Sequence, residues 1–254
     1  MVRIGDNWYT LDGITQYLFG ETNPMNPTVG IDSSGKLVLI DTCEHGDIVK
    51  IEHSLARLGY HLEDIKWVFV THSHHDHIGN VALLEERYDV ESFAHFLDIP
   101  TIRGEKFPKE KLPNFGEIRR LFPDFNEFAS ASQAEDKGGK EFVVPPKIRN
   151  SLRGGEFFDI AGGFEIIHTP GHTPGHIAIL LKKEKALVAG DLMMFWKGKF
   201  EGPVGTFSDD LEEAQRSVKK VSTMDFDRLV GYHGAPLTEN AKEYINKYLS
   251  LNNL

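Results

Sequence analysis

The feature of the sequence that most constrains the fold is a histidine-rich run directly after an apolar stretch. Residues 67–71 are short and apolar, and they predict a buried strand. The next residues, 72–77, read HSHHDH. Because residues two apart in an extended chain point the same way, His72 and His74 can share one metal ion. Asp76 and His77 lie in the turn beyond and can face a second ion, so this run predicts a metal site.

Strands and helices alternate around this run. Before it, residues 28–31 and 37–40 predict two strands, and residues 47–58 predict a helix with one apolar face. After it, residues 78–87 predict a helix and residues 90–94 a strand. This alternation is typical of α/β proteins, whose ligands tend to bind at the carboxyl ends of the strands.

The alternation stops in the middle of the chain and then resumes. Residues 98–155 contain many prolines, phenylalanines and charged residues, which predicts an insertion with a helix near residues 117–128. Beyond it we predict strands at residues 157–160, 164–168, 176–181, 186–189 and 228–230 and helices at residues 209–221 and 238–249. We therefore expect a single α/β domain over residues 1–254, with a partly helical insertion between two halves.

Composition and charge narrow the class of protein. The chain has 254 residues and a formal net charge of −10, and an acidic surface repels the phosphate backbone of nucleic acids. Its one cysteine, Cys43, cannot form an internal disulfide, which is typical of a reducing compartment. The sequence shows neither a membrane-spanning apolar run nor a signal peptide. We therefore expect a cytoplasmic protein that binds a small molecule rather than nucleic acid or a membrane.

The run HSHHDH also resembles the His-x-His-x-Asp-His signature of the metallo-β-lactamase superfamily. Four further stretches resemble motifs of that family in the same order: residues 39–42 with Asp41, residues 169–176 with His172, the pair Gly190-Asp191, and residues 231–234 with His233. The resemblance runs from about residue 29 to residue 234, apart from the insertion. It implies an αββα sandwich, with the insertion between its two halves.

The resemblance also implies a set of metal ligands. One ion would be bound by His72, His74 and His172, a second by Asp76, His77 and His233, and Asp191 would bridge the two. The early aspartate, Asp41, would support the histidine loop rather than bind metal. Because imidazole and carboxylate ligands do not select sharply among metals, we expect zinc, with iron or manganese as alternatives.

Other residues near these motifs receive simpler interpretations. His176 begins a strand and is expected to be a structural hydrogen-bonding residue. His75 is out of phase with its neighbours and should face away from the metals. Cys43, where the family usually has glycine, is interpreted as an inert buried thiol. Three residues that follow the bridging aspartate could reach the rim of the site: Trp196, Lys197 and Lys199.

The expected chemistry comes from two adjacent divalent ions, which lower the pKa of a shared water so that a metal-bridging hydroxide forms near neutral pH. The resemblance therefore implies a dinuclear hydrolase of a small carboxylic ester, lactone, thioester or lactam, with Asp76 as a proton carrier. Lactonases and glyoxalase-II-like thioesterases are the branches that the chain resembles, although lactonases usually have tyrosine at the position of Met194. We expect weak activity on several ester types.

Two other classes are alternatives to the hydrolase. Persulfide dioxygenases of the same superfamily use similar loop residues to bind a single iron, so a mononuclear-iron oxidoreductase is the main alternative. A metal-free binding protein is disfavoured, because every expected ligand is present in the sequence. The phenylalanines of the insertion could pack in a core, line the pocket or form a homodimer interface.

Overall fold

Two β-sheets stacked face to face lie at the centre of the fold. The structure is a computed structural model that describes residues 1–106, 114–123 and 144–254. In chain order, the strands of these residues are β1 Val2–Arg3, β2 Trp8–Thr10, β3 Thr15–Leu18, β4 Glu21–Pro24, β5 Thr28–Ile31, β6 Leu37–Ile40, β7 Ile65–Phe69, β8 Glu91–His95, β9 Asn150–Leu152, β10 Phe157–Phe158, β11 Phe164–His168, β12 Ile177–Leu181, β13 Ala186–Val188, β14 Met194–Trp196, β15 Lys199–Glu201 and β16 Arg228–Val230.

Helices cover the outer faces of the sheets. Within the described ranges they are α1 Ile48–Ala56, α2 His75–Ile78, α3 Val81–Tyr88, α4 Ile99–Ile102, α5 Phe115–Leu121, α6 Leu211–Ser222 and α7 Ala241–Leu251. Short 3-10 helices lie at Leu62–Asp64 and Gly205–Phe207. In the described residues, none of the helices is long and apolar enough to span a membrane.

The first sheet has the strand order β1-β2-β5-β6-β7-β8-β9. Its neighbours pair antiparallel up to β6, and β6 to β9 are parallel. The second sheet has the order β10-β11-β12-β13-β16, in which only β13 and β16 pair in parallel. As a result β11, β13 and β16 run in the same direction, and their carboxyl ends lie at one edge of the sheet. The hairpins β3–β4 and β14–β15 are separate two-stranded units.

Strand β6 shows why the layers form. All of its residues are apolar and buried, which is expected of a strand with both faces covered. Leu37 and Leu39 pack against the buried residues of α1 and α3 on one face. Val38 and Ile40 face the second sheet and share a cluster with Phe164. A further cluster joins the other face of the second sheet to α6 and α7, so the order of layers is helix, sheet, sheet, helix.

This architecture confirms the predicted αββα fold class. The predicted strands at residues 28–31, 37–40, 164–168 and 228–230 have the observed boundaries. The helix predicted at residues 78–87 is wrong in one respect, because α2 ends at Ile78 and α3 begins only at Val81. Asn80 lies between the two helices and bonds through its side-chain amide to the carbonyl oxygens of Thr42 and Glu44 at 2.6 and 2.7 Å.

The segment predicted as an insertion contributes to the first sheet. Strand β9, at Asn150–Leu152, pairs in parallel with β8 and forms the edge of that sheet. The helix predicted near residues 117–128 begins earlier, as α5 at Phe115–Leu121. Residues 107–113 and 124–143 lie outside the described residues, and so does the second part of that predicted helix.

Candidate metal centre

The sequence-predicted ligands all follow strand ends at one edge of the sandwich. The histidine run follows β7, and His172 lies in the loop between β11 and β12. Asp191 follows β13, and His233 follows β16. A hydrogen bond of 2.9 Å from the Ile177 amide to the Thr71 carbonyl joins the two sheets at this edge. The topology therefore brings loops of both halves of the sandwich to one place.

A first group of side chains lies around His74. The donor atoms of His72, His74, His172 and Asp191 lie within 4.8 Å of one another. His74 Nδ1 is 3.0 Å from His72 Nε2 and 3.0 Å from His172 Nε2. Three imidazole nitrogens thus converge on one point, as the ligands of a single ion must.

A second group lies beside the first. It consists of Asp76, His77 and His233, whose donor atoms also lie within 4.8 Å of one another. His233 Nε2 is 3.2 Å from Asp76 Oδ2, and His77 Nε2 is 3.9 Å from the same oxygen. This group is the set of side chains that the sequence predicted for a second ion.

Asp191 faces both groups. Its Oδ2 atom is 3.5 Å from His172 Nε2 and 3.6 Å from His233 Nε2, so one oxygen reaches a member of each group. Its Oδ1 atom is 3.4 Å from His77 Nε2. This is the position that a bridging carboxylate needs.

The polar atoms at the centre fit a pair of cations. His77 Nε2 and Asp191 Oδ1 are both buried and have no hydrogen-bond partner among the described residues, although they lie 3.4 Å apart as an ion pair. Buried polar atoms without a hydrogen bond are costly, and a bound cation would remove that cost. Imidazole nitrogens and carboxylate oxygens are ligands of zinc, iron and manganese. The residues present therefore fit divalent metal ions, without selecting one metal.

The first group is built from neutral imidazoles. Burial lowers the pKa of His72 and of His172 well below the usual range, and neighbouring imidazoles lower it further. Burial also lowers the pKa of His74, against the raising effect of Asp191. A neutral imidazole offers its nitrogen lone pair to a metal, so this group is already in the form that binds.

The second group is rich in charge. Burial acts to lower the pKa of His77, but the carboxylates of Asp41, Asp191 and Asp76 outweigh it and raise the pKa well above the usual range. The pKa of His233 is raised in the same way, against burial, by Asp191 and Asp76. The carboxylates thus favour the protonated forms of both imidazoles in the absence of a cation, and a bound cation would compete with these protons.

Asp41 fixes the direction of His77. Its Oδ1 accepts a hydrogen bond of 2.8 Å from the Thr71 amide, and its Oδ2 accepts one of 2.7 Å from the Thr71 hydroxyl. His77 Nδ1 lies 2.9 Å from the same Oδ2. A proton held on Nδ1 leaves Nε2 free to face the centre, so the geometry agrees with the supporting role expected for Asp41.

The structure places the other histidines of the two motifs outside the ligand groups. His176 Nε2 accepts a hydrogen bond of 3.1 Å from the Asp191 amide, and His176 Nδ1 is 2.8 Å from the Thr169 hydroxyl. His176 therefore positions the backbone of Asp191, which agrees with its predicted structural role. The side chain of His75 is 83% exposed and lies near Glu44 at the cavity, and it belongs to neither group.

Two residues that the sequence motifs did not predict contact the second group. Gln16, in β3, lies 3.2 Å from Asp76 Oδ2 and 3.4 Å from His233 Nδ1 through its Nε2 atom. The Tyr232 ring lies 3.9 Å from the His77 ring, and its hydroxyl donates to the Asp76 carbonyl. Tyr232 could have been suspected because it precedes His233. Nothing in the sequence near Gln16 points to the site.

A cavity of about 300 Å³ opens onto the two groups, with His74, Asp76, Asp191 and His233 in its lining. Its other side is apolar and includes Leu18, Leu121, Phe122, Trp196 and Phe207. Leu121 ends α5, so the segment between the two halves contributes to this wall as expected. Among the described residues, no lysine or arginine lines the cavity.

The three residues expected near the rim differ in position. Trp196 lines the cavity, and its indole nitrogen donates to the Leu121 carbonyl at 3.2 Å. Lys197 forms an ion pair with Glu21 and donates a hydrogen bond of 3.4 Å to the Leu121 carbonyl, so it stabilises the apolar wall of the cavity. Lys199 lies in β15 with an exposed side chain.

Comparison with known proteins supports the same class. The family model of the metallo-beta-lactamase superfamily matches residues 28–233, and the chain therefore belongs to this superfamily. The probable metallo-hydrolase YflN of Bacillus subtilis (strain 168) is 29% identical over 191 residues, with 68% of this chain and 66% of that protein covered. An N-acyl homoserine lactonase of a Bacillus species is 26% identical over 177 residues, with 68% of this chain and 56% of the lactonase covered.

A solved structure supports the fold. The metallo-beta-lactamase family protein TTHA1429 of Thermus thermophilus matches with a TM-score of 0.68 and 23% identity, covering 97% of this chain and 79% of that chain. The chain spans about two thirds or less of the length of the two relatives named above. The family and these relatives support the prediction that the chain is a hydrolase, and they leave its substrate open.

Proposed function

We propose that the chain is a dinuclear metal hydrolase that acts on small carboxylic esters, lactones, thioesters or lactams. The observation that carries this proposal is the position of Asp191 between two complete ligand groups. One group alone would suit a mononuclear enzyme, whereas two groups that share a carboxylate suit a pair of ions. We propose zinc as the native metal, because histidine and carboxylate ligands are typical of catalytic zinc sites.

The chemistry needs a nucleophile and an electrophile in one place. When bound, two divalent ions would lower the pKa of a water between them and polarise the attacked carbonyl group. The protein determines where this reaction takes place, because His74, Asp76 and Asp191 are members of the ligand groups and also line the cavity. A carbonyl group in the cavity can therefore approach the centre directly.

Asp76 is the residue that we propose to move the proton. Without metal, burial acts to raise the pKa of its carboxyl, but the neighbouring His77 and His233 outweigh it and hold the pKa well below the usual range, so the side chain is a carboxylate. This carboxylate also lines the cavity, where it can accept a proton from the nucleophile and donate it to the leaving atom. Met194 lines the cavity at the position where lactonases usually have tyrosine, so no phenol there shares this role.

The apolar wall supports substrates with an uncharged acyl group. Phe122, Trp196 and Phe207 offer aromatic surface beside the centre. The lining described by the structure has no lysine or arginine for an anionic substituent to pair with. The similarity to an N-acyl homoserine lactonase supports a lactone among the substrates. We therefore propose that esters and lactones with apolar acyl chains react faster than those with charged ones.

A chain-length series of esters tests the role of the wall. Phe122→Ala should lower kcat/KM for long-chain esters more than for acetate esters, because a longer acyl chain buries more apolar surface against the wall. Phe157→Ala is the matched control, since Phe157 is an exposed aromatic residue outside the cavity. An equal loss for every chain length in Phe122→Ala would contradict this role.

Elemental analysis of freshly purified protein is the first test of the function. About two zinc ions per chain, with hydrolysis of members of a panel of lactone, thioester, β-lactam and phosphodiester substrates, would support the proposal. Absence of hydrolysis with all of these substrates would contradict the proposed function. About one iron per chain, with oxygen consumption on a persulfide, would instead support the mononuclear dioxygenase, which needs only the first group.

A further inference from the structure

Asp98 is a buried carboxylate that belongs to neither ligand group. It is 1% exposed and lies just before α4, at the start of the segment that the sequence predicts as an insertion. Its side chain does not cap that helix. Burying a carboxylate is costly unless hydrogen-bond donors pair with it, so the donors that contact Asp98 indicate its structural role.

The partners of Asp98 lie in the two loops that carry the first ligand group. Asp98 Oδ2 accepts hydrogen bonds from the Ser73 amide at 3.0 Å and from the Thr173 hydroxyl at 2.6 Å. Asp98 Oδ1 accepts one from the Gly175 amide at 2.6 Å. Ser73 lies between His72 and His74, and Thr173 follows His172. One carboxylate thus joins the loops that hold all three histidines of the group.

The approach of the second loop to Asp98 is close. A Cβ atom at Gly175 would lie 2.6 Å from Asp98 Oδ1 and 2.7 Å from the Asp98 amide, so a larger residue would push the loop away. The backbone of Asp98 is itself held by a hydrogen bond of 3.0 Å from its amide to the His95 carbonyl. His95 is the last residue of β8. Asp98 therefore fixes both loops relative to the first sheet.

We propose that Asp98 is a positioning residue for the first metal ion. It holds the loops at the separation that lets His72, His74 and His172 converge. It makes no direct contact with those imidazoles, and it acts through a backbone amide and a hydroxyl beside them. Its contacts at Ser73 and Thr173 adjoin histidines of the first group only, and His77 of the second group is held separately by Asp41, so we expect the effect of Asp98 to fall mainly on the first ion. This inference rests on the two-ion centre proposed above.

Asp98→Asn tests the proposal. The amide group keeps an acceptor for Gly175 but places a donor opposite the Ser73 amide, which is also a donor. Loss of such a supporting contact typically weakens metal binding by about 10–100-fold. Competition with a chromophoric zinc chelator measures the two dissociation constants, and we expect one to rise by about that factor while the other stays unchanged.

Glu85→Gln is the matched control. Glu85 is also buried, at 6% exposure, and its carboxylate accepts hydrogen bonds from the Ser92 hydroxyl and the Lys147 amide. Neither contact involves a residue of the ligand loops, so this variant should keep both zinc dissociation constants. An equal rise in Glu85→Gln would show that Asp98→Asn acts only through general destabilisation, and would overturn the proposal.

Double variants identify the affected ion. In His233→Ala the first group alone is complete, and adding Asp98→Asn should weaken the binding that is left. In His172→Ala the second group alone is complete, and adding Asp98→Asn should leave the dissociation constant unchanged. The opposite pattern, or no effect in either background, would overturn the assignment.

A milder variant keeps the test decisive if Asp98→Asn does not fold. Thr173→Val removes only the hydroxyl donor, and we expect a rise of about 2–10-fold in the same dissociation constant, which corresponds to one hydrogen bond. An unchanged constant in Thr173→Val would count against the proposal. Because the readout is metal affinity, a protein that binds two ions and hydrolyses no ester would contradict the proposed function and leave this inference intact.

Discussion

The two ligand groups of the centre differ in how the protein supports them. The histidines of the first group are neutral imidazoles that contact one another, and Asp98 joins the two loops that carry them. The second group is surrounded by carboxylates, and Asp41, Gln16 and the Tyr232 ring contact its ligand side chains directly. Asp98 therefore supports the first group through the loops that hold its ligands, whereas Asp41 and Gln16 support the second group at its ligand side chains.

This difference determines how each group should respond to substitution. A change behind the first group moves a loop, and a loop carries more than one ligand. A change behind the second group alters hydrogen bonds of the ligand side chains themselves and the direction of their lone pairs. Metal affinity measured separately for the two ions would therefore distinguish the two kinds of support.

The largest effect is expected for the residue that the groups share. Asp191→Ala removes a ligand from both ions and leaves His77 Nε2 without its nearest carboxylate oxygen. We expect both dissociation constants to rise by more than the roughly 100-fold that outer contacts can cost, and zinc content to fall below one ion per chain. Elemental analysis after dialysis measures this. Retention of two ions would refute the bridging position.

Removing one ligand from a single group should have a smaller and more selective effect on metal binding. His172→Ala should remove the first ion and His233→Ala the second, because Asp191 can still serve the group that stays complete. Each variant should therefore retain about one zinc ion per chain by elemental analysis. Loss of both ions in either variant would show that the two groups bind metal only as a pair.

Short motifs made most of this centre predictable from the sequence. Asp76 and His77 are adjacent in the chain, and the resemblance to a known signature gave each a place at the second ion. The distant members, His172 and His233, each fall in a recognisable motif directly after a strand. In such cases the local pattern and the tertiary position agree, so the sequence is sufficient.

The rest could not be predicted because it depends on contacts between distant segments. Periodicity predicts a continuous helix after the histidine run, whereas Asn80 breaks it by bonding to a loop near Thr42. Strand β9 belongs to the first sheet only because it pairs with β8, about 55 residues earlier. Asp98 and Gln16 have no motif, and only the fold brings them to the centre.

Asp41→Asn tests the direct support of the second group. The amide can place its NH₂ group opposite His77 Nδ1, which favours the tautomer with its proton on Nε2 and blocks the metal ligand. We expect the dissociation constant of the second ion to rise by about 10–100-fold while that of the first changes little. Chelator competition in the His172→Ala and His233→Ala backgrounds assigns the effect, and a larger change for the first ion would break the comparison.

The smallest effect is expected at Gln16. Gln16→Leu removes the amide that donates to Asp76 Oδ2 over 3.2 Å, but Asp76 keeps its other neighbours. One hydrogen bond contributes about 0.5–1.5 kcal/mol, so the dissociation constant of the second ion should rise by about 2–10-fold.

Thr15→Val is the matched control for Gln16→Leu, because Thr15 is the neighbouring residue of β3 and its side chain is exposed on the opposite face. This control should leave both dissociation constants unchanged. If Gln16→Leu weakened the first ion as much as the second, the β3–β4 hairpin would support the centre as a whole. The distinction between backbone support of one group and side-chain support of the other would then not extend to this hairpin.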